Sequence, residues 1–320
     1  MNGPVRRTVA LLAALLCVVG LAACAPGDRS WTDRPQAIAG GGPTGVYFDY
    51  GTQLAVTLHD RLGARFSGQR TAGSVDNLQR VGDGRAVLGF AQGDAVADAA
   101  AGTGAFATPI PVVAVARLYD EYVHIVVRDD STVRTLRDLA GRSVSLGARG
   151  SGVEVLAQRV LSAAGVDVSS VHNAQAGLED SITALRRGQI DAFFWVGGLP
   201  TPGIEALAAA SPIRLLSIPP AVVDAVNAAH NGAYRQADFP VGVYGIDAST
   251  VTMTVPNYLV CRRDTSESLI HDVTATLFDA RATLAARVPA AALLDRRQAI
   301  FTDPIPLHPG AIRYYREAHG

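Results

Sequence analysis

Short apolar segments alternate with amphipathic segments along most of this chain, and no other feature constrains the fold as much. Segments 37–41 and 86–91 consist almost entirely of apolar residues and glycine, whereas 51–63 and 74–84 carry apolar residues at helical spacing. Near-continuous apolar runs are typical of parallel strands that are buried on both faces. Strands that alternate with helices predict an α/β fold with helices on both faces of mainly parallel sheets.

Length and charge limit the classes of protein that are compatible with this pattern. The chain has 320 residues, of which 48% are hydrophobic, and its formal charge at pH 7 is −1. This length predicts about two domains and allows a sizeable core. Because proteins that bind nucleic acid present a basic face, the near-neutral charge argues against a nucleic-acid partner.

Residues 1–23 have the pattern of a bacterial lipoprotein signal peptide. Two arginines precede an apolar run, 8–24, that is too short to span a membrane comfortably and ends in small residues. Its end, Leu-Ala-Ala-Cys at 21–24, resembles a lipobox, which implies cleavage before Cys24 and a diacylglyceryl group on its thiol. Such a lipid would anchor the protein to the outer face of a membrane. The alternative is an ordinary signal peptide that is cut after Ala23 or Ala25.

Residues 24–35 are polar and contain prolines, so we expect a linker there.

The remaining cysteines predict no disulfide bond. Cys17 lies within the signal peptide, and Cys261 lies in an apolar, strand-like segment that predicts a buried, inert thiol. The mature chain therefore has no intramolecular disulfide, and its stability must come from the core.

Two segments, 118–147 and 249–264, have the pattern of connections between lobes. In each, an apolar strand ends in arginine and aspartate and a helix follows. We expect 110–119 and 121–128 to be separate strands. Paired connections of this kind predict a protein with two lobes and a hinge that is crossed twice. Lobe 1 would comprise 36–121 and 252–320, and lobe 2 would comprise 122–251.

Five segments resemble, in order, the TAXI family of solute receptors of TRAP transporters. They are 40–51 (GGGPTGVYFDYG), 70–95, 115–166, 185–208 and 304–317 (PIPLHPGAIRYYRE). The resemblance implies a periplasmic-binding-protein type II fold in which each lobe is a doubly wound sheet. It also implies capture of a small, usually acidic organic solute, such as glutamate or a 2-oxo acid. Delivery would be to a TRAP-type membrane permease.

The glycine-rich loop 40–45 (GGGPTG) has two interpretations. It matches G-x-G-x-x-G loosely, but it contains a proline and lacks the Lys-Ser/Thr ending of a phosphate loop, and an isolated match is weak evidence. We favour a strand-to-helix loop at a cleft, where glycine allows close approach of a ligand and helix-start amides bind an anion. Thr44 would offer a hydroxyl, Gly45 its backbone and Tyr47 an aromatic wall. A glycine turn without a ligand is the alternative.

Three more candidates lie in the first lobe. Ser74 predicts a helix N-cap, and its hydroxyl could also bind a solute oxygen. Asn77, one turn later, can both donate and accept hydrogen bonds. In the resembled family the matching serine and asparagine lie by the solute cleft. Gln92 ends a strand, at the edge where α/β sheets bind ligands, whereas the following Asp94 could equally cap the next helix.

The second lobe supplies a matching set of candidates. Ser151 and Gly152 open an amphipathic helix, whose N-terminal dipole would favour a carboxylate. Arg149 is either a specificity residue or a solvated surface charge. Trp195 either packs in the hydrophobic core or covers the cleft. At the first hinge, Glu121 and the nearby Tyr119 either pack or contact the solute.

No motif indicates an enzyme. The chain has no H-E-x-x-H, no C-x-x-C and no G-x-S-x-G motif, so the sequence predicts no catalytic residue, metal site or cofactor. An enzyme on this fold stays an alternative, since fold does not determine function. A second alternative is a solute sensor that is read by a membrane histidine kinase instead of a permease.

Overall fold

The structure, a computed structural model, describes residues 31–230, 233–247 and 249–318. The predicted signal peptide and Cys24 lie outside the described residues. Trp31, which belongs to the predicted linker, is buried in the same core cluster as Leu54, and its Nε1 donates to Ser268 Oγ at 3.2 Å. The folded body therefore includes Trp31 and does not begin at Gln36.

The described residues contain ten strands and ten α-helices, which alternate along most of the chain. The strands are β1 (Gln36–Gly41), β2 (Phe66–Arg70), β3 (Leu88–Gln92), β4 (Val112–Arg128), β5 (Ser143–Ser145), β6 (His172–Asn173), β7 (Ala192–Gly197), β8 (Ile213–Leu215), β9 (Arg235–Asp238) and β10 (Val251–Arg262). The helices are α1 (Val46–Leu62), α2 (Ser74–Gly82), α3 (Gly93–Ala101), α4 (Gly152–Ala163), α5 (Leu178–Arg186), α6 (Pro202–Ala210), α7 (Pro220–Ala229), α8 (Glu267–Asp279), α9 (Arg281–Ala285) and α10 (Pro309–Glu317).

The helix ends follow from local sequence. Gly63 ends α1 in the left-handed conformation at φ 67°, which glycine adopts without steric cost. Ser151 begins α4, because its side chain accepts a hydrogen bond from Glu154 N at 3.0 Å. Pro202 and Pro220 lie in the first turns of α6 and α7, where a missing N–H costs nothing.

The strands form one path in the order β2-β1-β3-β10-β4-β7-β5-β6, with β8 on β4 and β9 on β10. Strands β1, β2 and β3 pair in parallel at one end, as do β5, β6 and β7 at the other. Between these groups, β4 and β10 are long and antiparallel. The predicted α/β architecture is confirmed, and two shared strands join its two halves.

Strand β4 differs from the sequence prediction, which expected two strands at 110–119 and 121–128. The polar pair Asp120 and Glu121 does not interrupt the strand, because both residues stay extended and lie opposite Pro256 and Val255 of β10. The strand then continues as the partner of β7, from Tyr122 onward.

The hydrophobic core is divided between the two lobes. Two clusters of buried side chains draw on residues 31–119 and 258–315, and two draw on residues 123–255. Cys261 is fully buried in the first group, and burial raises the pKa of its thiol far above the usual value. The boundaries of the lobes at 121/122 and 251/252 stay a prediction. Among the described residues, no helix has both the length and the apolarity needed to cross a membrane.

Candidate functional site

A cavity of about 320 Å³ lies between the two lobes. Segments from both lobes line it, together with Gln92 and Glu121 from the hinge region; they are residues 41–47, 70–74, 147–148, 151–153 and 175–180, and residues 194–197 at the end of β7. Most of these segments follow the C-terminal ends of strands, the edge at which α/β sheets bind ligands. The volume is at the small end of the range of small-molecule pockets, about 300–1,000 Å³.

Four helices begin at the wall of this cavity. They are α1, α2, α4 and α5, whose N-cap residues are Gly45, Gly73, Ser151 and Gly177. The three glycine caps make no side-chain capping hydrogen bond, so the first-turn amides stay open for a ligand, apart from Asp76 N, which donates to Gly150 O. Because each helix start carries partial positive charge, the four together favour an anion.

The lobes touch each other beside the cavity, so the cleft is closed. Asp76 N of lobe 1 donates to Gly150 O of lobe 2 at 3.1 Å. A Cβ on Gly152 would clash with Gln92 Oε1 and would lie 2.8 Å from Ser74 Oγ. A Cβ on Gly45 would lie 3.1 Å from the Trp195 ring. The closed arrangement therefore depends on glycine at position 152 and leaves little room for a side chain at position 45.

Eight of the predicted site residues line the cavity: Thr44, Gly45, Tyr47, Ser74, Gln92, Ser151, Gly152 and Trp195. Ser74 does not cap α2 with its side chain. Its Oγ accepts a hydrogen bond from Gln92 N at 3.2 Å, which links the start of α2 to the end of β3. Gln92 Oε1 is buried and has no hydrogen-bond partner.

Asn77 lies outside the cavity lining. Its side chain is fully buried, and Nδ2 donates to Gly40 O at 3.1 Å and to Phe90 O at 2.8 Å. Its Oδ1 accepts from Thr71 Oγ1 at 2.5 Å. Because all these polar atoms are used within the protein, Asn77 supports the glycine loop and the 71–73 turn instead of presenting atoms to a solute.

Tyr47 and Glu121 form a polar pair on the cavity wall. The Tyr47 hydroxyl donates to Glu121 Oε2 at 2.8 Å, and both side chains line the cavity. Burial raises the pKa of the Glu121 carboxyl group to about 8. From the sequence, Glu121 is expected at the hinge, either packed or in contact with a solute; in the structure it lies on the cavity wall.

A chain of hydrogen bonds fixes the indole of Trp195. Its Nε1 donates to Thr201 Oγ1 at 3.1 Å, and Thr201 N donates to the Tyr244 hydroxyl at 2.9 Å. The Tyr244 hydroxyl lies 3.0 Å from His124 Nε2. This partly buried network holds the ring against Gly45, on the opposite lobe.

The structure places Arg70, and not Arg149, in the cavity lining. Arg149 is exposed, and its Nη2 donates to Gln175 Oε1 at 2.6 Å on the rim. Arg70 lines the cavity at the end of β2, and its guanidinium forms no ion pair with any described residue. Sequence reasoning missed Arg70, although its position directly before the Thr71–Ser74 turn was a usable signal. It also missed Glu179 and Asp180, exposed carboxylates in the first turn of α5 that line the same cavity.

A buried charge cluster joins the lobes next to the cavity. Arg159 of α4 pairs with Asp94 Oδ2 at 3.2 Å and with Asp98 Oδ2 at 2.5 Å, both on α3. The Tyr234 hydroxyl of lobe 2 donates to Asp94 Oδ2 at 2.7 Å. Asp94 Oδ1 accepts from Ala95 N at 2.8 Å, so Asp94 both assists the start of α3 and binds across the lobes.

Within the part of the chain that the structure describes, no group of three or more His, Cys, Asp or Glu side chains could hold a metal ion.

The sequence profile of the NMT1-like family matches residues 38–318. Among solved structures, this chain is similar to one described as a periplasmic transporter, with a TM-score of 0.53, 15% identity and coverage of 89% of this chain and 92% of that one. It is also similar to a putative L-cystine ABC transporter from Listeria monocytogenes, with a TM-score of 0.50, 12% identity and coverage of 82% and 98%. The GluR0 ligand-binding core in complex with L-glutamate gives a TM-score of 0.50, 10% identity and coverage of 82% and 100%. Identities this low show a shared fold, the two-lobed fold of periplasmic binding proteins.

Proposed function

This chain belongs to the NMT1-like family, and from that premise we propose that it is an extracytoplasmic receptor that captures a small acidic organic solute between its lobes. The observation that carries the proposal is the convergence of four helix starts on one closed cavity, three of them with uncapped glycine N-caps. Aligned helix starts stabilise an anion by hydrogen bonds and by their dipoles. The exposed guanidinium of Arg70 adds a positive charge to the lining, which also carries the exposed carboxylates of Glu179 and Asp180.

More specifically, we propose that the chain is a TAXI receptor, which delivers its solute to a TRAP-type permease. This assignment is supported by the five segments that resemble this family, because four of them, 40–51, 70–95, 115–166 and 185–208, supply cavity-lining residues from both lobes. A carboxylate-bearing solute of the glutamate or 2-oxo acid class suits both the anion-binding wall and the small cavity.

The mechanism is a population shift between open and closed lobes. A solute can favour closure only if it binds the closed state better than the open one. Here the closed state brings the α2 start of lobe 1 against the α4 start of lobe 2, with Gly73 packed on Ser151. A solute carboxylate held by amides of both lobes would therefore link the two lobes directly, and the permease would bind the surface of the closed form.

A thermal-shift screen of the chain from Asp28 onward tests the proposed solute class. Ligands that bind only the folded state stabilise it by RT ln(1 + [L]/Kd), about 2.7 kcal/mol at 100-fold excess over Kd. We expect the melting temperature to rise with mono- and dicarboxylic acids of up to five carbons and to stay constant with sugars and nucleotides. A rise with nucleotides alone, or none with any acid, would contradict the proposal.

The proposed lipid anchor on Cys24 has a separate test. The intact mass of the protein from bacterial membranes should show a diacylglyceryl group and no residues before Cys24. A Cys24→Ser variant should appear in the soluble extracytoplasmic fraction. An unlipidated wild-type protein that is cut after Ala23 or Ala25 would show that the alternative signal peptide is correct.

A further inference from the structure

Glu121 is a buried carboxyl group on the cavity wall that has no cation beside it. Its side chain lies on β4 opposite Val255, at the hinge, and the residue is 1% exposed. One oxygen accepts from the Tyr47 hydroxyl at 2.8 Å, and the side chains of Asn257 and Gln92 are further hydrogen-bond partners of the carboxyl group. Among the described residues, no arginine or histidine forms an ion pair with this carboxyl group. Because a buried carboxylate is stable only when it is paired, a cationic group that enters the cavity would find a partner in Glu121.

The ionisable groups that face Glu121 are neutral or acidic. They are the hydroxyls of Tyr47 on α1 and Tyr119 on β4, and the carboxylate of Asp94 on α3. Burial is the main cause of the raised pKa of Glu121, and the negative charge of Asp94 adds to it. In the empty cleft at neutral pH, Glu121 therefore carries a proton for most of the time.

A second acceptor lies on the same wall. Gln92 is 2% exposed and lines the cavity, and its Oε1 has no hydrogen-bond partner. Buried polar atoms in proteins are hydrogen-bonded with few exceptions, so an unpaired acceptor at a cavity indicates a ligand donor. The Glu121 carboxyl and the Gln92 carbonyl together offer oxygens to a group that is rich in N–H, whereas the helix starts offer N–H groups to an anion.

We propose that Glu121 determines the specificity of the cleft by binding the amino group of an α-amino acid whose carboxylate lies at the helix starts. The inference rests on the proposed function and selects between its two solute classes, because a 2-oxo acid has no ammonium group for Glu121. Tyr47 is the positioning residue that holds Glu121 Oε2 toward the cavity.

Binding by this route releases a proton. The solute brings an ammonium group, the Glu121 carboxylic acid gives its proton to solvent, and a carboxylate–ammonium pair stays in the cleft. The solute lowers the pKa of Glu121, so its apparent affinity rises with pH and levels off once the pH passes about 8, where Glu121 is already ionised in the empty protein. Proton release is close to one per solute well below that pH and declines above it.

Isothermal titration of the mature chain with matched acids tests this inference. One series is L-glutamate, 2-oxoglutarate and glutarate; the other is L-alanine, pyruvate and propionate. We expect each amino acid to bind at least about tenfold tighter than its amine-free partners, a difference of about 1.4 kcal/mol. Glu121→Gln should abolish this preference while it preserves binding of the amine-free acids. The control is Glu205→Gln, an exposed glutamate outside the cavity lining, which should behave as wild type.

Proton release by the wild type gives a second readout that does not depend on any variant. Titrations at pH 6.5 in two buffers of different ionisation enthalpy should show about one proton released with L-glutamate and none with glutarate, since only the former ionises Glu121. Equal affinity with and without the amine, no proton release, or a preference that survives in Glu121→Gln would overturn the inference and leave the acid receptor intact. If no acid of either series binds, the proposed function is wrong, and the inference fails with it.

Discussion

The two lobes contact each other in two chemically different regions. At the cleft the contact is made by backbone and glycine, where Gly152 lies against Gln92 and Gly45 lies against Trp195. Beside the cleft, between α3 and α4, the contact is a buried ion cluster of Arg159 with Asp94 and Asp98.

The difference separates two requirements of a closing receptor. The cleft contact is mainly steric, and glycine on one side of it leaves helix-start amides free for a solute. The ion cluster is electrostatic and contributes no atom to the cavity lining. We therefore expect changes in the first region to affect solute affinity, and changes in the second to affect the stability of the lobe interface.

Removal of the Arg159 charge should have the largest effect. Its side chain is 11% exposed, and its partners are also nearly buried, so Arg159→Met leaves two carboxylates without a cation. The loss of one partner of a buried ion pair costs about 3–5 kcal/mol of unfolding free energy. Urea denaturation monitored by circular dichroism measures this cost.

The matched control is Arg85→Met, because Arg85 pairs with Asp83 at 2.9 Å and both side chains are more than half exposed. Exposed pairs contribute about 0–1 kcal/mol. Equal losses for Arg159→Met and Arg85→Met would show that the interlobe cluster has no special role.

Gly152→Ala should weaken solute binding by about 100-fold, which corresponds to about 2.7 kcal/mol. The added Cβ would overlap Gln92 Oε1 and crowd Ser74 Oγ, so the closed state becomes strained while the open state does not. Titration calorimetry measures the affinity, and small-angle scattering of the solute-saturated protein measures the expected failure to close.

Gly177→Ala is the control for this variant. Gly177 lines the same cavity, but an added Cβ there would meet no atom within 4 Å. We expect its affinity to stay within about twofold of wild type, or about 0.4 kcal/mol. If both alanine variants bind solute normally, contact between the lobes at Gly152 is unnecessary for capture.

Thr201→Val should have the smallest effect. The change removes the acceptor of Trp195 Nε1 at 3.1 Å and the hydroxyl that donates to Gly198 O at 2.8 Å, but it keeps the volume of the side chain. The bond to Trp195 is the one that positions a cavity-lining side chain, and one hydrogen bond contributes about 0.5–1.5 kcal/mol, so affinity should fall between about twofold and tenfold. The fluorescence of Trp195 should also shift, whereas Thr57→Val, which removes only a bond to Gln53 O on α1, should change neither property.

The sequence was most informative where a strand, a loop and a helix follow one another directly. Thr44, Ser74 and Ser151 all lie in such units, so their approach to a cleft follows from the ends of strands and the starts of helices. Asn77 also lies near such a helix start, but its side chain faces β1 and β3, and only the packed structure shows that direction.

Features formed by distant parts of the chain were not predictable in the same way. Arg159 and Asp94 are 65 residues apart and lie on helices of different lobes, so neither segment alone indicates the pair. Similarly, the polar residues Asp120 and Glu121 suggested a break between two strands. Their pairing with the other crossing strand, which is remote in sequence, keeps β4 continuous.

Strands β4 and β10 give the molecule a mechanical property that neither lobe has alone. They run side by side from one lobe into the other, hydrogen-bonded to each other from Val112–Arg262 to Tyr122–Thr254. A pair of bonded strands resists shear along its length and bends most easily across its face. The two bonded strands therefore act as one hinge, and the opening of the cleft is described by a single interlobe angle. A partner protein that contacts both lobes could sense occupancy of the cleft from that angle, without contacting the solute.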